Sequence, residues 1–233
     1  FNSIGKNSEG FDLGSGTGRW AYFISDLVGV LNLIEPSSAI EISKKKLMNK
    51  KNINFYNENV SNLSLKENTQ DFGYSLGVLH HVEDTESALL KCNKVLKKDA
   101  PFLLYLYYAF DNRSYTYKFL WKASNIIRIL VCNLPNNIKN VITDLIAFFV
   151  YWPLAKISFF LNCLRINTNA LPLNYYKNAS FYTMRTDSRD RFGTKLEKRF
   201  SKNEITKLLE RNGFKNVSFS SKPPFWVSLS FKK

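Results

Sequence analysis

The sequence predicts an α/β fold: a doubly wound, mostly parallel sheet of seven strands with a helical cap inserted late in the chain. Three observations predict it. Short apolar runs alternate with segments of helical periodicity through the first 108 residues. The run Pro101–Tyr108 is apolar and aromatic with little alternation, which is typical of a central parallel strand covered on both faces. The alternation of strands and helices stops near residue 110 and resumes near residue 201, which predicts an insertion between them.

The predicted strands are short apolar runs, and two prolines connect the last two of them. The strands are Phe11–Leu13, Val30–Ile34, Ile53–Tyr56, Phe72–Leu76, Pro101–Tyr108, Val217–Ser220 and Trp226–Phe231, with Pro223 and Pro224 as the connection. We expect an α/β core over residues 1–110, the insertion over 111–200, and a closing helix and hairpin over 201–233 that complete the sheet.

Helices of the core are predicted from caps and apolar periodicity. Their spans are Arg19–Leu27, Ser38 to the Lys50 region, Asp84–Leu96 and Ser201–Arg211, the last ended by Gly213. Ser38 with Glu41, and Ser201 with Glu204, have the spacing of a capping box. The first helix is expected to carry one apolar face, formed by Trp20, Phe23, Ile24 and Leu27.

The insertion shows no strand pattern. Tyr117–Leu134 and Val141–Leu164 are predicted helices, and Pro153 is expected to kink or split the second. Residues 171–200 are aromatic, basic and irregular in pattern.

Composition indicates a packed globular protein, because 45% of the residues are hydrophobic. The three cysteines, Cys92, Cys132 and Cys163, are scattered and form no Cys-x-x-Cys pair. Neither a disulfide framework nor a zinc site is indicated, and we expect a reducing, cytoplasmic setting and no metal.

The net charge of +14 leaves two interpretations open. It is either a compositional bias, since the lysines are spread along the chain, or a surface that attracts nucleic acid or anionic membrane.

A glycine motif follows the first strand. Asp12 and Leu13 lead into Gly14-Ser15-Gly16-Thr17-Gly18, and a helical pattern begins near Arg19. Glycine adopts positive φ and has no Cβ, so a ligand can approach the bare backbone, and the helix start offers free N–H groups. The dinucleotide fingerprint needs glycine at its sixth position, but here that position is Arg19 and the third glycine comes one residue early.

Glu35 ends the second strand, 21 residues after Gly14. A carboxylate at this position can accept hydrogen bonds from both ribose hydroxyls of a nucleoside. The alternative is an ordinary surface carboxylate at a strand end.

The glycine motif resembles motif I of the class I S-adenosylmethionine (SAM)-dependent methyltransferases. The run from Asp71 to Val82, with Gly77-Val78-Leu79-His80-His81, closely resembles the fourth-strand segment of small-molecule members of this family. The block from Leu171 to Phe200 resembles a stretch in a bacterial, type 11-like subgroup that shares the helical insertion. The matching segments keep family order and spacing over residues 11–108, and residues 203–231 resemble the closing helix and hairpin.

The resemblance implies the Rossmann-like methyltransferase fold, SAM as cofactor, and a set of cofactor-binding positions. These are Asp12, Gly14, Gly16, Gly18, Glu35, Asn59, Val60 and Gly77. The family usually has an acidic residue at the place of Asn59, where it accepts a hydrogen bond from the adenine amine. The amide oxygen of Asn59 can also accept, although a simple loop asparagine is the alternative.

Methyl transfer from a sulfonium needs a general base only when the acceptor atom begins protonated. His80 and His81 are the only histidines, and they follow the fourth strand at the sheet edge where ligands bind in such folds. One of them is a candidate base; both being framework residues is the alternative.

The insertion also has two interpretations. It either buries its apolar faces, or presents side chains to an anionic membrane surface, the candidates being Trp121, Phe148, Phe149 and Trp152. Asp144, Pro153 and Lys156 argue against a spanning helix. Tyr182 and Arg185 are candidates for contact with an acceptor. The alternative is that their segment is a loop held by Arg–Asp pairs.

We therefore expect a SAM-dependent methyltransferase acting on a small-molecule, lipid-like or sugar-like acceptor, with methylation on oxygen. The alternatives are a binding or scaffold protein that keeps the fold without turnover, and a peripheral membrane methyltransferase of a lipid-linked substrate. A nucleic-acid acceptor is not expected, because the fourth-strand segment lacks the Asn/Asp-Pro-Pro-aromatic signature. Ten residues precede the first predicted strand, which leaves one side of the cofactor pocket open unless more chain precedes it.

Overall fold

Seven strands form one sheet in a computed structural model that describes residues 4–169, 171–221 and 226–233. In chain order they are β1 (Glu9–Leu13), β2 (Val30–Ile34), β3 (Ile53–Tyr56), β4 (Phe72–Leu76), β5 (Pro101–Tyr105), β6 (Phe214–Phe219) and β7 (Ser228–Lys232). The order across the sheet is β3-β2-β1-β4-β5-β7-β6. Strands β1 to β5 are parallel, and β7 is antiparallel to both β5 and β6. The predicted fold class is confirmed.

The strand register aligns the carboxyl ends of the central strands. Leu13 pairs with Ile34, and Asp12 pairs with Tyr74. The chain runs outward from β1 to β3 and then returns to β4 on the other side of β1. This reversal is the topological switch point at which ligands bind in doubly wound sheets.

Eight α-helices accompany the strands in the described residues. They are α1 (Ala21–Ile24), α2 (Ala39–Lys46), α3 (Thr85–Val95), α4 (Tyr115–Cys132), α5 (Asn136–Ile146), α6 (Trp152–Cys163), α7 (Phe181–Gly193) and α8 (Lys202–Arg211). A π-helical turn, Ala147–Tyr151, joins α5 to α6. Short 3₁₀ turns occupy Val60–Asn62 and Asn174–Tyr176.

The chain divides into two compact units. We call Phe1–Asp111 with Lys198–Lys233 the sheet unit, and Asn112–Glu197 the helical unit. These limits lie close to 111–200, the span predicted for the insertion.

The core of the sheet unit lies on both faces of the sheet. One face packs the stacked rings of Phe102 and Phe214, 5.3 Å apart, against α3 and α8. The other packs Leu31 and Leu33 against Ala21 and residues near α2. Both faces of the central strands are therefore covered, as their continuous apolar runs predicted.

The first predicted helix is wrong in length. Only α1 forms, and Phe23 and Leu27 are 63% and 61% exposed. Short helices are stable mainly through tertiary packing of an apolar face. Among the described residues this face is largely uncovered, which accounts for a helix of one turn.

The two predicted capping boxes differ in outcome. Ser201 accepts from Glu204 N, and the Glu204 carboxylate accepts from Ser201 N, so this box forms. Ser38 has helical backbone angles and its side chain caps nothing, while Glu41 pairs instead with Lys44. The predicted cap at Asp84 forms, since its carboxylate accepts from Ser87 N.

The prediction of an irregular segment over residues 171–200 is wrong, because Phe181–Gly193 form helix α7. Ser180 caps it by accepting from Thr183 N at 3.2 Å. Its inward contacts are partly polar: Ser188 Oγ donates to Thr143 O at 2.7 Å, and Arg189 binds the Asp144 carboxylate with two bonds of 2.7 Å. A helix that packs through polar groups shows no apolar periodicity in its sequence.

Pro153 does not split the helix in which it lies. The helical stretch runs over Asn136–Cys163, and Pro153 lies at the start of α6, directly after the π turn. Proline removes one backbone donor, and a π turn is a known way to absorb such a break. In the described part of the chain, Asn136–Cys163 is the one helix whose length and apolar composition would allow it to cross a membrane.

The predicted connection at Pro223 and Pro224 lies outside the described residues. Strand β5 ends at Tyr105, shorter than predicted, and Tyr108 forms only an isolated bridge to Phe200.

Candidate cofactor and active site

The glycine loop leaves β1 at the switch point and is attached to the end of β2. Gly14 N and Ser15 N both donate to Ile34 O, at 2.8 and 3.2 Å. Gly14, Gly16 and Gly18 have φ of 77°, 52° and 73°, which side chains other than glycine seldom adopt. The loop thus needs glycine at these three places.

The three glycines differ in what surrounds them. A Cβ on Gly14 would lie 2.4 Å from the Val78 side chain, and one on Gly18 would lie 2.8 Å from that of Leu47. A Cβ on Gly16 would meet no atom within 4 Å. Gly14 and Gly18 therefore allow close packing of the loop, whereas Gly16 leaves backbone open to an approaching ligand.

Glu35 is buried and holds this loop. Its Oε2 accepts from Gly16 N at 2.9 Å, and its Oε1 accepts from Ser37 N at 3.0 Å. Each carboxylate oxygen has further lone pairs, so hydroxyl groups can still donate to it. The bond from Gly16 to Glu35 joins two motifs that sequence reasoning had treated separately.

Asp12 is the second carboxyl at this edge, and it is 2% exposed. Its Oδ2 accepts no hydrogen bond of good geometry from the described residues. Burial raises the pKa of Asp12 to about 7; the nearby Tyr74 hydroxyl lowers it, and the charge of Glu35 raises it further. A buried carboxyl with an open oxygen would gain from a ligand that brings a donor or a cation. Tyr74 was not among the predicted site residues.

The remaining predicted cofactor positions lie on the neighbouring loops. Asn59 is exposed, and its Oδ1 accepts from Ser61 N at 3.3 Å, capping the 3₁₀ turn that begins at Val60. Val60 is partly buried against the core. Gly77 has a φ of 80° and donates from its N to Tyr105 O at 3.0 Å.

The two histidines have different surroundings. His80 is fully buried, and its ring stacks on Tyr107 with centroids 3.7 Å apart. His81 is partly exposed, with its centroid 4.0 Å from that of His80. The guanidinium of Arg199 lies over the same Tyr107 ring at 5.1 Å. His80 is thus enclosed by the protein, whereas His81 keeps part of its ring exposed, with its Nε2 buried.

Tyr182 and Arg185 lie in the helical unit, on one face of α7. The Arg185 guanidinium lies 5.6 Å from the centre of the Tyr182 ring, and Tyr182 is 67% exposed. The neighbouring Arg189 pairs with Asp144 of α5, outside the segment 171–200, and this guanidinium lowers the pKa of Asp144.

No cluster of metal-ligand side chains occurs within the described ranges. Two shallow clefts, one beside Lys6 and Asn52 and one beside Asp71 and Pro101, lie at the amino ends of the strands, away from the glycine loop.

A sequence profile for the family described as "Methyltransferase domain" matches residues 11–104. This segment contains the glycine loop, Glu35 and both histidines. No curated protein is detectably similar in sequence to the chain.

Solved structures share the fold at low identity. A SAM-dependent methyltransferase from Thermotoga maritima matches with a TM-score of 0.53 at 16% identity, over 97% of this chain and 83% of its own. A Haloferax volcanii protein in complex with the Trm112 methyltransferase activator matches with 0.58 at 10% identity, over 99% and 84%. Phosphoethanolamine N-methyltransferase 2 of Haemonchus contortus, in complex with S-adenosylhomocysteine, matches with 0.54 at 12% identity, over 96% and 37%. The chain also spans only 41% of a similar Galdieria sulphuraria structure.

The residues at the switch point fit SAM. Gly16 leaves room for a ligand beside bare backbone, Glu35 keeps lone pairs for ribose hydroxyls, and Asp12 keeps an open oxygen. The segment 11–104 therefore matches a methyltransferase domain, and its fold is that of solved SAM-dependent methyltransferases.

Proposed function

We propose that the whole chain methylates an oxygen atom of a small acceptor that is lipid-like or sugar-like. The observation that carries the proposal is the joint arrangement of Gly16, Glu35 and Asp12 at the switch point. SAM supplies the methyl group on a sulfonium, which is already activated. The chain has to hold the donor and acceptor in line and exclude water, and orientation of this kind is worth roughly 7–11 kcal/mol in favourable cases.

The cofactor positions then have distinct roles. Glu35 accepts from the ribose hydroxyls while it holds the loop through Gly16 N. Asn59 offers an amide oxygen to the adenine amine, and Val60 supplies backbone beside the ring. Asp12 and the loop Gly14–Gly18 surround the methionine end, with Gly77 at the neighbouring strand end.

The histidines favour oxygen as the acceptor atom. A hydroxyl must lose its proton during transfer, whereas a neutral amine has a free lone pair from the start. His81 is partly exposed after β4 and is the base in this proposal, while the buried His80 ring supports it by packing. The Haemonchus neighbour is an N-methyltransferase by its name, so the proposal that the acceptor atom is oxygen has to be tested by experiment.

The acceptor class is inferred from the aromatic and cationic side chains of α7. Arg185 beside Tyr182 offers a charge and a ring to an anionic or sugar-like group.

Titration calorimetry with SAM tests the cofactor site. The wild-type chain is expected to bind at micromolar concentration. Glu35→Ala is expected to weaken binding at least about tenfold, because it removes a charged hydrogen-bond acceptor. Gly16→Val is expected to do the same, because a β-branched side chain is strained at a φ of 52° and fills the space left for the ligand. Glu41→Ala removes an exposed carboxylate of the same unit and serves as the control. Unchanged affinity in both site variants would contradict the proposed site.

Transfer of labelled methyl from SAM to lipid and sugar extracts tests the acceptor atom. His81→Gln is expected to lower the rate about 100-fold or more, the usual contribution of a general base, without loss of SAM affinity. A product that carries the label on nitrogen, or an unchanged rate, would contradict oxygen transfer with His81 as base.

A non-catalytic scaffold is the second candidate, and the state of Asn59 favours it. The family acid is replaced there by an amide, and its oxygen already accepts from Ser61 N. Absence of SAM binding in the same calorimetric titration would support the scaffold.

A further inference from the structure

The helical unit has large apolar side chains on its outside and polar side chains on its inside. In α4, the inward residues Ser124, Asn125 and Arg128 are polar and lie beside Trp121 and Val131, while most of the outward residues are apolar. Arg128 is buried, and its guanidinium donates to Thr194 O and Lys195 O, both at 3.0 Å. Trp121 is also partly buried, under the Arg191 guanidinium at 5.3 Å, so the expectation that it faces outward is wrong.

The long helix Asn136–Cys163 also has large apolar side chains on its exposed face and mainly small or polar side chains on its buried face. Its buried face is small or polar, apart from one tyrosine, and consists of Thr143, Ala147, Tyr151, Ala155 and Ser158. Its exposed face carries large apolar side chains three, four or seven residues apart. This outer stripe consists of Ile138, Val141, Leu145, Phe148, Phe149, Trp152, Phe159 and Phe160.

Two kinds of contact stabilise the interior of the helical unit. One is a small apolar cluster that includes Val131, Met184 and Phe192. The other is the Arg191–Glu197 ion pair, whose side chains are 11% and 1% exposed. The charged helix α7 packs against α4, α5 and the π turn. Water-soluble proteins bury their large apolar side chains and seldom expose a contiguous apolar surface of this extent. The large apolar side chains of the outer stripe would be favourably placed in a hydrocarbon environment.

Charge identifies the kind of hydrocarbon surface. The sequence of the helical unit holds twelve Lys and Arg against four Asp and Glu. Two of the four acids, Asp144 and Glu197, form ion pairs with arginines inside the unit. Lys122 and Lys156 are exposed beside apolar residues, and the Lys156 ammonium lies 5.8 Å from the Phe159 ring centre. Cations next to an apolar stripe are the pattern of helices that bind anionic bilayers.

The inner face determines the orientation in the membrane. The Arg189–Asp144 pair lies on the side of α5 that faces α7, and both side chains remain more than a third exposed to solvent. A helix that crossed the bilayer would carry this pair into hydrocarbon, at a large free-energy cost. We propose that the helical unit docks in the plane of an anionic bilayer, with the outer stripe in one leaflet and α7 on the aqueous side.

Sedimentation with vesicles tests this proposal on the full chain. The protein is mixed with phosphatidylcholine vesicles, or with vesicles containing about a third phosphatidylglycerol, at low and high salt. We expect binding to both, stronger on the anionic vesicles and reduced there by salt. The double variant Phe149→Ser/Phe160→Ser removes two side chains that are 68% and 64% exposed, and is expected to lower the partition coefficient about tenfold or more.

Two control variants distinguish docking through the outer stripe from non-specific adsorption to vesicles. Met48→Ser changes a side chain of the sheet unit that is 77% exposed, and should leave binding unchanged. Lys156→Glu should weaken binding to anionic vesicles only, and more than Lys51→Glu, which changes the net charge equally. Circular dichroism of each variant checks that the fold is retained.

Wild-type protein that stays in the supernatant with both vesicle types would overturn the proposal, as would a double variant that binds like the wild type. A dimer seen by light scattering, broken by the double variant and without vesicle binding, would assign the outer stripe to a second copy instead. Neither SAM nor an acceptor is needed, so the outcome is independent of the proposed catalytic function.

Discussion

At the scale of single residues, the two carboxyl groups of the switch point have opposite surroundings. Glu35 has two backbone N–H donors, at Gly16 and Ser37. Asp12 is buried among apolar strands with an open Oδ2, and burial raises its pKa to about 7. The first group organises the loop, whereas the second has the Tyr74 hydroxyl nearby and an open Oδ2.

We expect Asp12 to make stability depend on pH. Between pH 4 and pH 7 the folded chain keeps a proton that the unfolded chain has released, so the free energy of unfolding falls as pH rises through this range. A pKa raised from 3.8 to about 7 corresponds to at most about 4 kcal/mol. Asp12→Asn should flatten this dependence, as measured by urea denaturation at pH 5 and pH 8.

Asp26→Asn provides the matched control, because Asp26 is an exposed carboxylate that pairs with Lys50. It should leave the pH profile unchanged. An Asp12→Asn variant that loses stability between pH 5 and pH 8 as steeply as the wild type would contradict burial as the cause.

At the scale of elements, helix starts are decided by local bonds that only some serines make. Ser201 and Ser38 both stand three residues before a glutamate, yet only Ser201 caps its helix. Ser38 is itself helical in φ and ψ, so its hydroxyl is not placed to reach a free N–H. The preceding Ser37 instead accepts from Ala39 N at 3.2 Å.

These two serines make a matched pair for mutation. Ser201→Ala should lower the free energy of unfolding by about 1 kcal/mol, the usual loss for an N-cap. Ser38→Ala should change it by less than about 0.5 kcal/mol, as surface substitutions do. Both values come from urea denaturation, and equal losses in the two variants would contradict the difference in capping.

At the scale of the whole molecule, the two units follow different rules of burial. The sheet unit buries large apolar side chains on both faces of its sheet. The helical unit buries Arg128 and the Arg191–Glu197 pair and exposes the outer stripe. One chain therefore joins a unit that buries its large apolar side chains to a unit that exposes many of them.

SAM should protect one part of this molecule from hydrogen exchange. The amides of residues 9–18 and 72–81 are expected to exchange more slowly with SAM present. A ligand that binds only the folded state raises the free energy of unfolding by about 2.7 kcal/mol when its concentration is about a hundred times its Kd. Mass spectrometry of peptides reads the change, with Glu35→Ala as control. Equal exchange with and without SAM over both segments would contradict the assigned site.

The sequence by itself determined the sheet, the glycine loop and two of the helix caps. These features depend on local information: the apolar runs of β1 to β5, the glycines at positions 14, 16 and 18, and the side chains of Asp84 and Ser201. Each is set by contacts within a few residues, or by a requirement for burial that any parallel sheet imposes.

Only the tertiary structure decided the rest, because the deciding contacts join residues far apart in the chain. It showed that Glu35 bonds Gly16, that His80 is buried while His81 is not, and that α7 packs through Ser188 and Arg189. It also showed that the apolar faces of α4 and of Asn136–Cys163 point outward. Periodicity reveals that a helix has an apolar face, but which face meets the protein depends on what packs against it.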